Sequence, residues 1–493
     1  MTKRTLSESQ RNFFALASQA IFANPFTDER LAIDAKLAGQ PGKSTRSEFD
    51  QQVSPRLRQM WASLGEDIKF TDFEGKDADL LMHAMLFDTF WHYSADLDAL
   101  ILEQIEAGDE PLPVPFAPKV LTRLRQWGFS PEQSRRFFAM CFQIRRAYFF
   151  IDRDLPGPSA SMQRLRQRLW VNIFTDDIEL YENHLWCRME DFSTFLIGET
   201  GTGKGTAASA LGRSGWIPFD EEQKRFAESF TQLFVPINLS QFTESLIESE
   251  LFGHVKGAFT GAVKDHQGVF ERCHRYGAIF LDEIGEVSIP VQIKLLNVLQ
   301  ERVFSPVGSH KLLRFGGRVI AATNRSVHQQ REDGTFRDDF FYRLCSDIIE
   351  MPPLRRRIEE DPRELEILID HIVKRTIGQQ NENLSARVMD VIERHLGRDY
   401  PWRGNVRELE QCVRRVILTG RYTPDPKLRL EQAEGGDGQG WVPEMVDSGW
   451  TLQELTARYC AELYEQLGTY EAVASALDID RRTVKKYVDL DDV

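Results

Sequence analysis

The sequence predicts a multidomain protein: an all-α N-terminal domain, a central α/β domain with a helical lid, and an all-α C-terminal domain. Three observations carry that prediction. Apolar residues recur at mixed three- and four-residue steps in Leu80–Trp91 and Arg135–Phe150, as in core-facing helices. Short apolar runs at Thr194–Ile197, Leu233–Ile237, Ala278–Leu281 and Arg318–Ala322 alternate with helical patterns, which implies a mainly parallel sheet covered on both faces. After Pro352 and Pro353 the strands stop and helical patterns run to about Leu418. The expected divisions are 1–165, 166–349, 350–425 for the lid, 426–448 for a linker rich in glycine and polar residues, and 449–493.

Composition narrows the classes of function. At 493 residues the chain exceeds one ordinary core. Hydrophobic residues at 42% and charged residues at 28% fit a water-soluble globular protein. A net charge of −14 argues against a chain that coats nucleic acid nonspecifically, so any DNA contact is confined to a small basic patch. Six scattered cysteines form no CxxC pair and have no histidine at zinc-ligand spacing, which favours reduced thiols in a cytoplasmic protein. No run approaches the roughly 18 apolar residues that would span a bilayer, and the basic start of the chain has no apolar stretch behind it.

Residues 1–165 read as one helical regulatory domain. The Pro-rich stretch Pro111–Pro118 separates two helical blocks, and Leu155–Ser161 closes the region. Asp88, His92 and Asp96 share one helical face at i, i+4, i+8. With no further ligand nearby they read as a solvated or hydrogen-bonded face, not a metal site. No acidic pair with a phosphorylatable aspartate marks a receiver domain, and little strand alternation supports a PAS or GAF sensor. The signal, a ligand or a partner, is not named by the sequence.

The chemistry lies in the α/β domain. Gly198, Glu199, Thr200, Gly201, Thr202, Gly203 and Lys204 follow a strand and open a helix through Gly205 and Thr206. Such a loop turns its N–H groups on phosphates, and Lys204 reaches the β and γ oxygens of ATP. The strand Ala278–Leu281 ends abruptly in Asp282 and Glu283. Asp282 is placed to hold Mg2+ and its water, while Glu283 orients or deprotonates the attacking water. Between these halves lies Gly257, Ala258, Phe259, Thr260, Gly261, Ala262. Its glycines permit a flexible tip, and Phe259 with Thr260 offers one apolar and one hydroxyl contact to a protein.

At the C-terminus, Tyr470–Leu477, a short turn and Arg481–Val488 read as helix, turn, helix. Ala472, Ala474 and Ala476 allow close packing. Arg481, Arg482, Thr483, Lys485 and Lys486 gather positive and polar groups on the second helix of an otherwise acidic chain, as a reader of double-stranded DNA requires.

The GAFTGA run between a phosphate loop and a strand ending in Asp-Glu resembles the bacterial enhancer-binding proteins, AAA+ activators of RNA polymerase carrying sigma-54. The resemblance covers about Phe195 to Leu418, and the C-terminal segment is similar to their Fis-type helix-turn-helix. It implies an α/β AAA+ P-loop ATPase, a hexameric or heptameric ring of identical chains, and a GAFTGA loop, Gly257–Ala262, that engages sigma-54. It implies Asn324 as a sensor of the γ-phosphate, Asn238 as a partner holding Glu283, Arg407 as a lid residue on the nucleotide, and Arg337 and Arg343 as arginine fingers supplied across subunits. Two positions depart from the family. Gly205 replaces its usual Glu, and Pro306 replaces an arginine of the second pore-side loop. Two other readings remain open: a remodelling ATPase with a different protein client, and a DNA-binding regulator with a degenerate nucleotide site.

Overall fold

A computed structural model describes residues 4–39, 46–65, 67–397, 400–422, 451–477 and 479–491. The chain divides into two compact units, Met1–Arg421 and Tyr422–Val493. The predicted linker 426–448 lies outside the described residues.

The larger unit is organised around one parallel sheet. Its strands are β1 (Thr194–Ile197), β2 (Phe234–Asn238), β3 (Ala278–Asp282), β4 (Arg318–Thr323) and β5 (Asp347–Glu350), in the spatial order β2-β3-β4-β1-β5. The first four are those read from the apolar runs. The edge strand β5 was not, because Asp347 and Glu350 bracket only two apolar residues there. All pairings are parallel, so the C-terminal ends of the strands share one rim, where ligands of open α/β sheets bind.

Two apolar cores flank the sheet. On one face, Phe195, Ile279, Leu281, Val319 and Ala321 pack with Phe252, Phe270, Leu295 and Phe340 of the covering helices. On the other, Leu196, Phe280, Ile320 and Ala322 belong to the same continuous core as the N-terminal helices. Alternation along each strand sends neighbouring residues to opposite faces, so one chain segment feeds both cores. Phe142, on the long helix Pro131–Asp154, stacks on Phe226 at 4.1 Å between centroids, and Phe150 meets Phe230 edge-on at 5.5 Å. The helical region and the α/β region are therefore one packed body.

The predicted boundary at 165 falls inside the helix Ala160–Phe174. Ser159 caps it, donating through Oγ and N to Glu364 of the lid, and Glu364 forms a fully buried ion pair with Arg357 at 2.8 Å. At the other end, Asn172 Nδ2 donates to Asp347 Oδ2 at 2.7 Å, while Asn172 Oδ1 accepts from Thr194 Oγ1 at 3.0 Å and from Arg318 at 2.8 Å. Leu155–Ser161 thus joins two helices and does not close the region. The predicted face of Asp88, His92 and Asp96 is also divided: one helix ends at His92 and the next begins at Ser94, and Asp88 is paired with Arg123. Among the described residues no cluster of three His, Cys, Asp or Glu is placed to hold a metal, and no helix is long and apolar enough to cross a membrane.

The lid is made of the helices Leu354–Glu360, Arg363–Ile377, Glu382–His395 and Asn405–Thr419. In the smaller unit, Leu452–Leu467, Tyr470–Leu477 and Arg481–Asp491 close around Cys460, Val473, Val484 and Val488.

Removing the Asn172 amide leaves the half-buried Arg318 guanidinium with one partner fewer. Asn172→Ala is expected to destabilise the larger unit by about 2 kcal/mol, read as a lower urea midpoint with the spectrum of the native protein otherwise intact.

Candidate functional site

The phosphate loop is shaped by its backbone. Beyond β1, Gly198, Gly201 and Gly203 adopt φ of 148°, 80° and 97°, conformations open to glycine at little cost, and the helix Lys204–Gly212 begins directly after them. Thr202 Oγ1 donates to Glu199 O at 2.8 Å and ties the loop from within. The Lys204 ammonium is buried and donates to Gly198 O at 2.7 Å and Glu199 O at 3.0 Å. Burial lowers its pKa, against the pull of Glu283 and Asp282. Gly205 is exposed, and a Cβ there would meet nothing nearer than Phe280 Cε1 at 3.9 Å, so its lack of a side chain is not imposed by packing.

Facing the loop, β3 ends at Asp282 and Glu283 turns the chain at φ 57° and ψ 47°. A left-handed non-glycine residue costs about 1–2 kcal/mol, and strain of this kind gathers at functional sites. Asp282 Oδ1 accepts from Glu283 N at 3.2 Å. Asn324, just past β4, donates its N–H to Glu283 Oε2 at 3.2 Å and its Nδ2 to Thr200 Oγ1 at 2.9 Å, so it spans the carboxylate and the phosphate loop. Asn238 departs from expectation. It is paired in register with Asp282, its Nδ2 stands 3.5 Å from Asp282 Oδ2, and its Oδ1 accepts from Ser240 N and Oγ. The expected contact with Glu283 is absent because strand register sets Asn238 beside Asp282, while Glu283 has already turned away.

The lid supplies the third wall, and here sequence reasoning missed the central residue. Asn405 is fully buried at φ 52°, accepts from Leu354 N at 2.7 Å, and donates to Thr200 O at 3.0 Å and Glu199 Oε2 at 3.1 Å. Val406 N donates to Gly201 O at 3.0 Å, and a Cβ on Gly201 would stand 2.2 Å from Gly404 O. Arg355 clasps Glu199 through both carboxylate oxygens. The available signal was the Gly404-Asn405 pair, since asparagine tolerates the left-handed region. Arg407 lies two residues further along the same helix, with its Cβ close to Gly201, and its charge acts on Lys204 and Asp282.

Phosphate loop, paired carboxylates and lid arginine therefore converge on one cleft. The residues present fit ATP with Mg2+: glycine backbone and a lysine for the phosphates, and Asp282 as the carboxylate for a cation that otherwise relies on phosphate oxygens and water. Thr206 is partly buried on the same helix, and Gly205 contributes no ligand atom.

The candidate fingers are held within their own chain. Arg337 pairs with Asp339 at 2.6 Å, and Arg343 donates to Leu299 O at 2.9 and 3.1 Å. Both sit at the ends of the short helix Asp338–Leu344, and Ser193 at the foot of β1 donates to Arg343 O.

The loop Gly257–Ala262 is a tight, closed tip. Gly257 N donates to Ala262 O at 2.9 Å, and Ala262 N to Phe259 O at 3.0 Å, with Gly257 and Gly261 at φ 83° and 103°. Phe259 and Thr260 are exposed, and Phe259 rests edge-on against His254 at 4.9 Å. The second loop is bound to the base of the first. Val255 N donates to Val307 O at 3.1 Å, Val307 N to Gly253 O at 2.8 Å, and a Cβ on Gly308 would collide with Ala258 Cβ at 2.7 Å. Pro306, the departure noted in the sequence, accepts from Ser309 N and leaves this backbone pairing intact.

In the smaller unit Arg481, Arg482, Lys485 and Lys486 are exposed on one helix, with Thr483 partly buried beside them. Arg481 pairs with Glu471 at 2.7 Å, and Asp480 caps Arg482 N. Of the three small residues expected to pack, Ala474 joins the core while Ala476 is exposed; Val473 is the buried anchor.

Residues 179–350 match the sigma-54 interaction domain, and residues 359–426 match the AAA+ ATPase lid domain. The Nif-specific regulatory protein of Azotobacter vinelandii is 43% identical over 287 residues, covering 54% of this chain and 51% of that protein. The regulatory protein AtoC of Escherichia coli is 35% identical over 325 residues, covering 64% of this chain and 66% of its own. The transcriptional regulator NtrC of Rhizobium meliloti is 39% identical over 247 residues, covering 50% and 46%. The matched region spans about half to two thirds of these curated relatives.

Burial raises the pKa of Asp282 above its unfolded value. Stability linked to the protonated form is therefore present at low pH and lost as pH rises through the folded pKa. Asp282→Asn is expected to raise the thermal midpoint at neutral pH, a gain that shrinks as pH falls through the carboxylate range. Calorimetry across pH measures both.

Proposed function

We propose, from the premise that this chain carries the sigma-54 interaction domain and AAA+ lid found in the NtrC and Nif-specific regulators, that it activates transcription by remodelling the closed complex of sigma-54 RNA polymerase at the expense of ATP. The observation that carries the reading is the closed Gly257–Ala262 tip, which presents Phe259 and Thr260 to solvent on a base braced by the second loop. A tip of this kind grips a protein partner, and the helix Val269–Arg272 lies between its base and β3.

ATP and Mg2+ supply the phosphoanhydride and the charge-neutralising cation. Lys204 and the loop N–H groups hold the phosphates, Asp282 holds the cation, and Glu283 orients water for attack. Asn324 contacts Glu283 and Thr200 together, so a change at the phosphates is transmitted to the β4 end of the sheet. Arg337 and Arg343 serve a neighbouring subunit in a hexameric or heptameric ring, which requires them to leave Asp339 and Leu299 O. The exposed basic face of Arg481–Lys486 binds double-stranded DNA upstream of the promoter, and residues 1–165 restrain or promote assembly of the ring.

Thr260→Ala is expected to keep ATP turnover within about twofold and to abolish open-complex formation by purified sigma-54 polymerase on a promoter with the upstream site. Promoter opening at the full rate would remove the main support for this client, and ATPase activity without any opening by the unaltered protein would favour another one.

Arg343→Ala and Lys204→Ala damage opposite sides of a shared interface. Mixed at equal concentration, after sedimentation has confirmed that both assemble, they are expected to regain part of the ATPase activity that each lacks alone. Covalent dimers with both lesions on one subunit, compared with one on each, test whether the arginine acts across the interface; activity indifferent to placement would remove it from the mechanism.

A further inference from the structure

The tip Gly257–Ala262 stands on a neck formed by two histidines. His254 N donates to His266 O at 3.0 Å and His266 N to His254 O at 2.9 Å, so the two residues face each other across the base of the loop. Their rings lie 5.5 Å apart at 28°, and Phe259 meets the His254 ring edge-on at 4.9 Å and 66°. A Cβ on Gly253 would stand 2.5 Å from His266 O and 2.8 Å from Gly268 N, so the neck is pinched shut. His266, His254 and Phe259 thus form a ladder of three rings from the neck to the tip.

Both imidazoles are tied to one helix, Glu244–Phe252, by consecutive residues. The buried Ser249 shares a hydrogen bond between its Oγ and His254 Nδ1 at 2.7 Å, and Glu250 Oε1 stands 3.4 Å from His266 Nε2. The tip itself has no such support: a Cβ on Gly257 or Gly261 would meet nothing within 4 Å. Phe259 is nevertheless 37% exposed where Val263 is 78% exposed, so part of its ring is covered, and His254 is the aromatic neighbour that covers it. An edge-on aromatic pair biases one orientation over others by about two- to tenfold. In a tip without packing of its own, a bias of that size selects how the Phe259 ring is presented. The backbone pairing of the neck closes the loop whatever its side chains are; the rings add the orientation.

We propose that the stacked His266 and His254 are positioning residues for the client contact: they fix the Phe259 ring relative to the helix Glu244–Phe252, so that the partner meets a pre-oriented aromatic edge beside Thr260. They act through Phe259 and not on ATP. A side chain ordered before encounter removes its ordering cost from binding, which is how an unsupported tip gains affinity without a larger surface. The use of Phe259 and Thr260 on sigma-54 rests on the reading above; the hold of the stack on the tip does not.

Two measurements on the full-length protein test this. The first reads affinity for purified sigma-54 by fluorescence anisotropy, with ADP and aluminium fluoride present as a mimic of the transferring phosphoryl group. His254→Ala is expected to weaken binding about fivefold and Phe259→Ala more. The double variant is expected to lose no more than about twofold beyond Phe259→Ala, because the stack acts through that ring. His254→Phe keeps a ring and is expected to stay within about threefold of the unaltered protein, whereas His254→Gln keeps only a bonding group for Ser249 and is expected to lose as much as His254→Ala. Losses that multiply in the double variant, or equal affinity of His254→Phe and His254→Gln, overturn the proposal, since a neck that only holds the loop closed would give those results. The second measurement needs neither partner nor nucleotide. Hydrogen exchange at the Gly257 and Ala262 amides, which close the tip, is expected to quicken about fivefold in His254→Ala and His254→Gln but not in His254→Phe. Tip exchange that is unchanged in both ring-less variants, or equally fast in all three, overturns the hold of the stack. Tip exchange that responds as expected in a protein that does not bind sigma-54 leaves the stack standing and removes the sigma-54 reading, so the two failures are separate results.

Discussion

A half-buried guanidinium organises the larger unit. Arg318 opens β4 and donates to Phe192 O at 2.9 Å, to Asn172 O and Oδ1 at 3.0 and 2.8 Å, and to Thr194 Oγ1 at 3.0 Å. Burial lowers its pKa to about 10, so it remains charged at neutral pH. A charge taken out of water must be satisfied where it lies, and removing a partner costs more than the bond itself contributes. The helix Ala160–Phe174, β1 and β4 are therefore fixed relative to one another by a single side chain, and the helical layer is fastened to the sheet below the nucleotide cleft.

A similar knot fixes the lid. Arg357 and Glu364 are buried together, and their remaining bonds go to Pro156 O and to Ser159 at the start of that same helix. The helix thus touches the sheet at one end and the lid at the other. Nucleotide chemistry in this architecture depends on the angle between sheet and lid, because Asn405 and Val406 must reach Thr200 and Gly201. The helical region is joined to both.

The cleft carries the costs expected of a working site. Glu283 is held in the left-handed region, Asp282 is half-buried with its pKa raised by desolvation, and Lys204 is buried beside both. The surrounding structure sustains these by two cores on either face of the sheet. The Gly257–Ala262 tip shows the opposite balance. Its exposed residues make few contacts, while its base is pinned by the pairing of Val255 with Val307 and by the contact that Gly308 allows with Ala258.

The sequence by itself determined the elements whose signals are local: the apolar runs of four strands, the glycine spacing before Lys204, the Asp-Glu end of β3, and the basic face of Arg481–Lys486. These follow from backbone conformation and side-chain periodicity within a few residues of each other. Only the tertiary structure decided what depends on contacts between distant segments. The fusion of residues 1–165 with the sheet, the role of Asn405 at the lid, and the pairing of Asn238 with Asp282 in place of Glu283 all arise from strand register and helix packing.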